Sequence, residues 1–409
     1  MLGGLAAYVV LGGADFGAGL WYMALPGERR RPLRDHTYHA MGPVWEANHV
    51  WLIFVLVVAW TAYPLAFGSI ASSLYVPLFV AALGIILRGT AYALRGSATG
   101  LSEERVLGVI FGASSVLTPF ALGTAVGALA SDRVPIGNAA GDAIGAWLNP
   151  TSLLLGTLSV ATSAYLAAVW LTADADRGGR DALVEDFRRL SLIAGAAAGG
   201  LALTGLVIIH EDARQLFDGL ASGGGLAAVL VSVTAGVATM AFIVGRRSEA
   251  ARYGSALAVT AMVAGWALAQ SPEILPGLTV QEAAASDSVL VALLISLGLG
   301  AVVLVPSLGL LFTLVLQGRF DPLPDEMGSL DEAGRATAPD VTASRRPGAG
   351  PRQGLTFAAV ALGLIGAVLT LLTEGGPERA ASVLILLLGA AGACAALLRD
   401  MSAIGRDSP

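Results

Sequence analysis

Three ionisable residues sit where an apolar chain can least accommodate them. They are Asp15 within GGADFGAG, and Glu46 and His49 within GPVWEANHVW. A charged side chain in hydrocarbon is costly, so each is a functional candidate by default. Glu46 and His49 are three residues apart and share a face of a helix. Histidine titrates near neutrality and a partly buried Glu can be raised towards it, so a proton could pass between them. A local reading is equally open. Glu46 in a first helical turn is favoured by the helix dipole, and Trp45 and Trp51 suit interface anchors. Trp45 and Asn48 form a second pair at the same spacing.

Asp15 is surrounded by Gly12, Gly13, Gly17 and Gly19. Bare backbone lets a neighbouring helix come close, which buries the carboxylate in protein and keeps it off lipid. Two roles stand for it: pairing with a cation to fix packing, or handling protons. Burial alone does not imply traffic. A cation is available in LRGTAYALR, where Arg88 and Arg95 face one way. Arg95 suits snorkelling to the headgroups. Arg88 could do the same, or neutralise Asp15 or Glu46.

The remaining histidines are His36 and His39, in an Arg-rich loop, and His210, opening HEDAR. No two imidazoles match in depth on facing helices, which argues against haem held by this chain alone. His210, Glu211 and Asp212 could suggest a metal site, but a solvated helix end explains them better. One cysteine, Cys394, cannot form an intrachain disulfide, a four-thiolate iron–sulfur site or a thiolate zinc cage. No metal site and no catalytic residue is predicted.

The elements that must position these groups follow from composition. The chain has 409 residues, 55% hydrophobic and 13% charged, with a mean hydropathy of +0.73. A soluble domain carries about 25% charged residues. This chain could not cover a water-facing surface, which excludes a cytoplasmic globular enzyme. A net charge of −6 argues further against nucleic-acid binding. The chain reads as an all-α integral membrane protein. Its first residues lack a basic n-region and cleavage site, so the N-terminus reads as a helix that stays.

About 20 apolar residues cross a bilayer as a helix. That ruler predicts about eleven spans, near 1–25, 44–67, 72–94, 105–129, 152–173, 189–209, 226–245, 254–270, 288–316, 354–373 and 381–398. With the N-terminus outside and the C-terminus cytoplasmic, 21 arginines fall inside, and only Arg133, Arg214 and Arg379 fall outside. Count and orientation support one another, because one missed or invented helix mid-chain would spoil the split. Pro77, Pro119 and Pro306 lie inside apolar runs and predict kinks or ends. Residues 318–353 hold five prolines, five arginines and six acids without apolar periodicity, which predicts a solvated linker.

Several of these stretches resemble subunit II of the cytochrome bd-type quinol oxidases. The matching segments are LGGADFGAGLW at 11–21, GPVWEANHVWLI at 42–53, AYPLAFGSIASSLYVPL at 62–78 and LRGTAYALR at 87–95. LTVQEAAAS at 278–286 and LVPSLGLLF at 304–312 complete them. The resemblance implies a membrane domain over 1–320 with a nine-helix core, two four-helix bundles plus one peripheral helix. A linker over 321–353 and an extra two-helix hairpin with a short tail over 354–409 have no counterpart in that pattern. The first helix begins close to its motif, which predicts residues lost before Met1.

The resemblance also implies a division of labour. Subunit I, the expected heterodimer partner, carries the b-type and d-type haems and the quinol site. Subunit II binds none of them alone, and in some members holds a structural quinone. The complex oxidises quinol and reduces dioxygen to water in the bacterial cytoplasmic membrane, drawing protons from the cytoplasm. Glu46 stands where the family's P-x-W-D-G-N motif has its proton-channel carboxylate. The family's Asp-Gly is here Glu46-Ala47, and His49 replaces the usual Glu or Gln. Together with the chemistry of the residues themselves this gives Glu46, His49 and Asp15 as the candidate proton route, with Arg88, Trp45, Asn48, Gly13 and Gly17 as candidates for ion pairing or packing. The extra helices could dock a small accessory subunit or bind lipid. Two other readings are a structural or assembly protein of the same fold and a secondary transporter. The latter is disfavoured because the polar motifs crowd the first three spans and the later helices are bland.

Overall fold

A computed structural model describes residues 1–25, 31–41, 45–95 and 101–316, with the side chains of His39, Met41, Trp45, Glu46, Ala47, Arg95, Leu101, Ser102, Val305, Phe312, Val315 and Leu316 outside the described set. The expected linker and the two spans beyond it also lie outside the described residues. The chain divides into two compact units, Met1–Leu293 and Leu294–Pro409.

The first unit is built on α1 (Leu2–Ala24), which contains a π-helical turn at Tyr8–Gly12. It continues through α2 (Arg31–Met41), α3 (Trp45–Ala62), α4 (Pro64–Ser73), α5 (Tyr75–Arg95) and α6 (Leu101–Ala130). Next come α7 (Pro150–Arg177), α8 (Asp181–Asp212), α9 (Arg214–Leu220), α10 (Gly223–Val244) and α11 (Ser248–Gln270). Strands β1 (Glu273–Leu275) and β2 (Leu278–Thr279) then pair antiparallel before the short α12 (Val280–Ala283). Helix α13 (Asp287–Leu316) begins in the first unit, and its remainder is the described part of the second.

Seven helices among the described residues are long and apolar enough to cross a membrane, or eight if the bent pair α3–α4 counts as one span. Nine spans were expected over this stretch. The one outside that number is α11, a full helix of 23 residues that is less apolar than its neighbours.

Three local expectations are corrected. The run 44–67 is not one straight span: the chain turns by 119° between Ala62 and Pro64. Pro64 has no N–H, and its ring pushes Tyr63 out of helical geometry (φ −135°, ψ 58°). Pro77 does not interrupt a helix but sits in the first turn of α5. Pro119 and Pro306, by contrast, lie inside continuous helices. The Arg-rich segment between the first two spans is not a loop but helix α2. Leu33, His36, Thr37 and Ala40 fall at helical spacing, and Leu33 and Ala40 join a core with Leu171, Ala175 and Phe187.

Helix α7 is the shared centre of the first unit, packing against α1, α6, α8 and α11. Its middle is enclosed on several sides, with the consecutive residues Leu166, Ala167 and Ala168 all fully buried. Gly17 of α1 makes the closest approach: a Cβ there would run into the Ser163 carbonyl and the Ala167 side chain of α7. Gly13 meets the same helix through Leu166 and Ser163.

At the end of the unit away from α2, the segment 131–149, α4 and the β-hairpin form a cap. Its core joins Ala66, Leu74, Val134, Ala146, Leu275 and Leu278. Ser69 and Ser72 of α4 accept from the backbone N–H groups of Gly137 (2.9 Å) and Ala139 (2.8 Å). Ala285 N–H donates to the Ala62 carbonyl (2.8 Å), holding the break between α3 and α4. Backbone N–H donors also act on the cap's carboxylates. Thr279 holds Glu282 below its ordinary pKa through a capping box, and Ile144 with Gly145 lowers Asp142. Burial, then the neighbouring Glu273, raises Asp132.

Candidate functional site

Asp15 and Arg88 are the most completely enclosed ion pair among the described residues, 1% and 3% exposed. Asp15 sits on α1 just beyond the π turn, and Arg88 comes from α5. Arg88 Nη2–H donates to Asp15 Oδ1 (2.8 Å) and to the Asp15 backbone carbonyl (2.9 Å), while Nη1–H donates to Oδ2. Arg88 Nε–H donates to Ser115 Oγ on α6 (2.9 Å), and that hydroxyl donates to the Phe111 carbonyl (2.6 Å). Phe16 and Phe111 flank the guanidinium at 5.1 and 4.7 Å from their ring centroids. All three guanidinium nitrogens are used.

A buried pair of this kind repays its desolvation only when the fork is matched and further hydrogen bonds satisfy what remains. Of the alternatives open to Arg88, this geometry is pairing with Asp15. Gly19 allows it, because a Cβ there would strike the Ser115 hydroxyl that accepts from Arg88.

Helix α3 joins the same place. Asn48 is buried, and its Nδ2–H donates to the Leu11 carbonyl within the π turn (3.2 Å). π turns are frequent where a helix is adapted to a special contact. The His49 ring stands edge-on to Phe16 at 6.1 Å, and Phe16 packs edge-on to Tyr8 at 6.5 Å. Asp15, Asn48, His49 and Arg88 are thus brought together by α1, α3 and α5. Trp45 and Glu46 lie on the first turn of α3, and their side chains are outside the described residues.

His36 and His210 are held separately, and the side chain of His39 lies outside the described residues. His36 is buried beside Phe187, accepts at Nδ1 from Arg180 (2.8 Å) and has Nε2 3.6 Å from Asp174. His210 lies at the far end of α8, between Glu211 (2.9 Å) and Arg214 (2.7 Å). His36 and His210 therefore stand at opposite ends of α8 and cannot together clasp one porphyrin. No group of three potential ligands converges on a metal position among the described residues.

Asp212 is not simply a solvated helix end. Arg133 grips it with both arms (3.1 and 2.7 Å). The Thr151 N–H (3.2 Å) and hydroxyl (2.6 Å) donate to the same carboxylate, so Asp212 joins the starts of α7 and of the capping segment to the end of α8. Sequence reading missed this cluster and also missed Ser115, Phe16 and Phe111 around Arg88. The acid and arginine at matching helix ends were a usable signal for Asp212 and Arg133. A serine and phenylalanines in apolar runs carry none.

Known proteins agree with this architecture. The family described as cytochrome bd terminal oxidase subunit II matches residues 1–315. A cytochrome bd ubiquinol oxidase subunit 2 from Bacillus subtilis (strain 168) is 31% identical over 117 residues, 28% of this chain and 34% of the relative. The aligned stretch thus spans about a third of that curated relative's length. A chain of the bd oxidase from Geobacillus thermodenitrificans has the same fold, with a TM-score of 0.60 at 22% identity, covering 77% of this chain and 96% of that one. The motifs around Asp15, Asn48 and Arg88 lie inside the matched region, and this membrane-integral chain belongs to the cytochrome bd terminal oxidase subunit II family.

Proposed function

We propose that this chain is the haem-free subunit II of a bd-type terminal oxidase. In that role it supports a haem-carrying subunit I in oxidising quinol and reducing dioxygen to water. The observation that supports this best is the convergence of three separated family motifs on one buried node, Asp15 with Arg88 and Asn48 against the π turn. A chain used only as a membrane anchor has no need of a fully matched charge pair. The haems would supply the electron transfer, and the described imidazoles, each engaged by local partners, fit a scaffold better than a haem cradle.

In this reading Glu46 takes protons from the cytoplasmic side and His49, on the same helix face, receives them. Asp15, matched by Arg88, holds Phe16 against His49 and so sets the ring's position. Orientation has support from the arginines. Arg177, Arg180, Arg246 and Arg247 lie at helix ends on the α2 side, which supports a reading with that face towards the cytoplasm and the cap towards the outside. A quinone or a small accessory subunit could further occupy the complex.

The test is co-purification of the tagged chain from membranes with a haem-ligating subunit I. A reduced-minus-oxidised spectrum and quinol-driven oxygen consumption then read the complex. Both signals should follow the pair and be missing from this chain purified alone. Porphyrin retained by the isolated chain, or a complex without oxygen consumption, would overturn the proposal.

A further inference from the structure

We infer that the turn between α10 and α11 is a binding site for the phosphate of an anionic phospholipid, with Arg252 and Arg247 as its cationic groups. Two arginines at this turn have no acidic partner among the described residues. Arg252, one turn into α11, lays its guanidinium over the Trp170 ring of α7 at 4.6 Å from the centroid. It forms no ion pair among the described residues. The acids nearest to it are already taken: Glu249 is 3.5 Å from Arg177, and Asp174 is shared by Arg177 (3.8 Å) and His36 (3.6 Å). Arg247 is exposed at the N-cap of α11, contributes no side-chain cap and pairs with no acid among the described residues. Arg246, beside it, does reach Glu185 (3.3 Å) and is therefore the neutralised member of the turn.

Both helices of the turn carry exposed apolar side chains. Tyr253 is 72% exposed, with Leu257 one turn further along α11, and Val244 and Val237 are exposed on α10. An arginine whose guanidinium lies over an indole can still turn an edge of its fork to a planar or tetrahedral oxyanion. A free anion would have no use for the apolar strips; a lipid places its phosphate at the arginines and its acyl chains along Tyr253 and Leu257. The aromatic at headgroup depth is where tyrosine is ordinarily found in membrane proteins. Basic pockets between transmembrane helices on the cytoplasmic side are suited to anionic headgroups.

The probe is phosphatidylglycerol added to the full chain, with whatever subunits co-purify, in a neutral detergent. Retained lipid is counted by native mass spectrometry, and the unfolding midpoint is measured alongside. Phosphatidylglycerol should be retained and raise the midpoint, whereas phosphatidylcholine and inorganic phosphate should not. Arg252→Gln should cut phosphatidylglycerol retention about fivefold, the effect of one arginine near the surface. If Arg252→Gln does not fold, Arg247→Gln at an exposed position gives the same reading. Undiminished retention in whichever variant folds would sink the assignment. So would a midpoint shift reproduced by inorganic phosphate, because the ligand would then be a free anion, and so would equal retention of the zwitterionic lipid.

Discussion

One nitrogen of Arg88, Nη2, donates both to the Asp15 carboxylate (2.8 Å) and to the backbone carbonyl of the same residue (2.9 Å). The guanidinium therefore fixes the position of the α1 backbone as well as neutralising a charge. Because Nε is held by Ser115, three helices meet at a single planar group. Lysine, a point charge on a flexible stem, could not replace it.

Removing the carboxylate should be costly. Asp15→Ala leaves a desolvated guanidinium, and breaking a buried pair from one side costs about 3–5 kcal/mol. Thermal unfolding in detergent should show that loss, with Arg88→Met comparable. The double variant Asp15→Ala/Arg88→Met should recover much of it, since no orphan charge remains. Strictly additive losses would mean that the two residues are not coupled.

Close approach of α1 to α7 makes Gly17 a second sensitive point. A Cβ at Gly17 meets the Ser163 backbone, which cannot rotate away, so Gly17→Ala should destabilise by about 1–3 kcal/mol. Gly3, whose Cβ would meet nothing nearby, is the control: Gly3→Ala should leave the unfolding midpoint unchanged.

Asp212 should matter at the opposite end. Asp212→Ala deprives Arg133 and two Thr151 donors of their acceptor, and a hydrogen bond to a charged group contributes about 1.5–3 kcal/mol. The expected signature is faster hydrogen exchange at the start of α7 and in the segment after Ala130. Protection equal to the parent there would exclude the clasp.

The capping box of α12 should loosen in acid. Thr279 donates to Glu282 Oε2 from its N–H (2.9 Å) and hydroxyl (2.7 Å), which favours the ionised carboxylate. Its folded pKa lies below the ordinary 4.5, so its stabilisation is complete above that value and disappears as pH falls through the lowered one. Hydrogen exchange over residues 279–284 should therefore rise as pH falls below about 4.5, after correction for intrinsic rates. Glu282→Gln should remove most of that pH dependence.

Glu46→Gln should slow oxygen-linked proton uptake by about tenfold or more and leave the haem spectra of the assembled complex intact. Turnover unchanged in a properly assembled complex would remove Glu46 from the route.

Apolar length, charge scarcity and glycine content settle much of this protein before any contact is known. Long uncharged runs must become helices in lipid, because every backbone group has to be satisfied internally. Asp15 and Arg88 were legible as anomalies for the same reason. Their pairing was legible only as one of several alternatives, since helix periodicity places a residue on a face without saying which helix meets it. Tertiary packing alone decided that Arg88 turns to Asp15, that Ser115 completes the fork and that Asp212 joins three elements. It also decided that α2 folds onto Phe187 and that the chain turns by 119° before Pro64. Such outcomes depend on long-range contacts, where the cost of an unmatched charge or a blocked backbone selects one arrangement among several that local pattern allows.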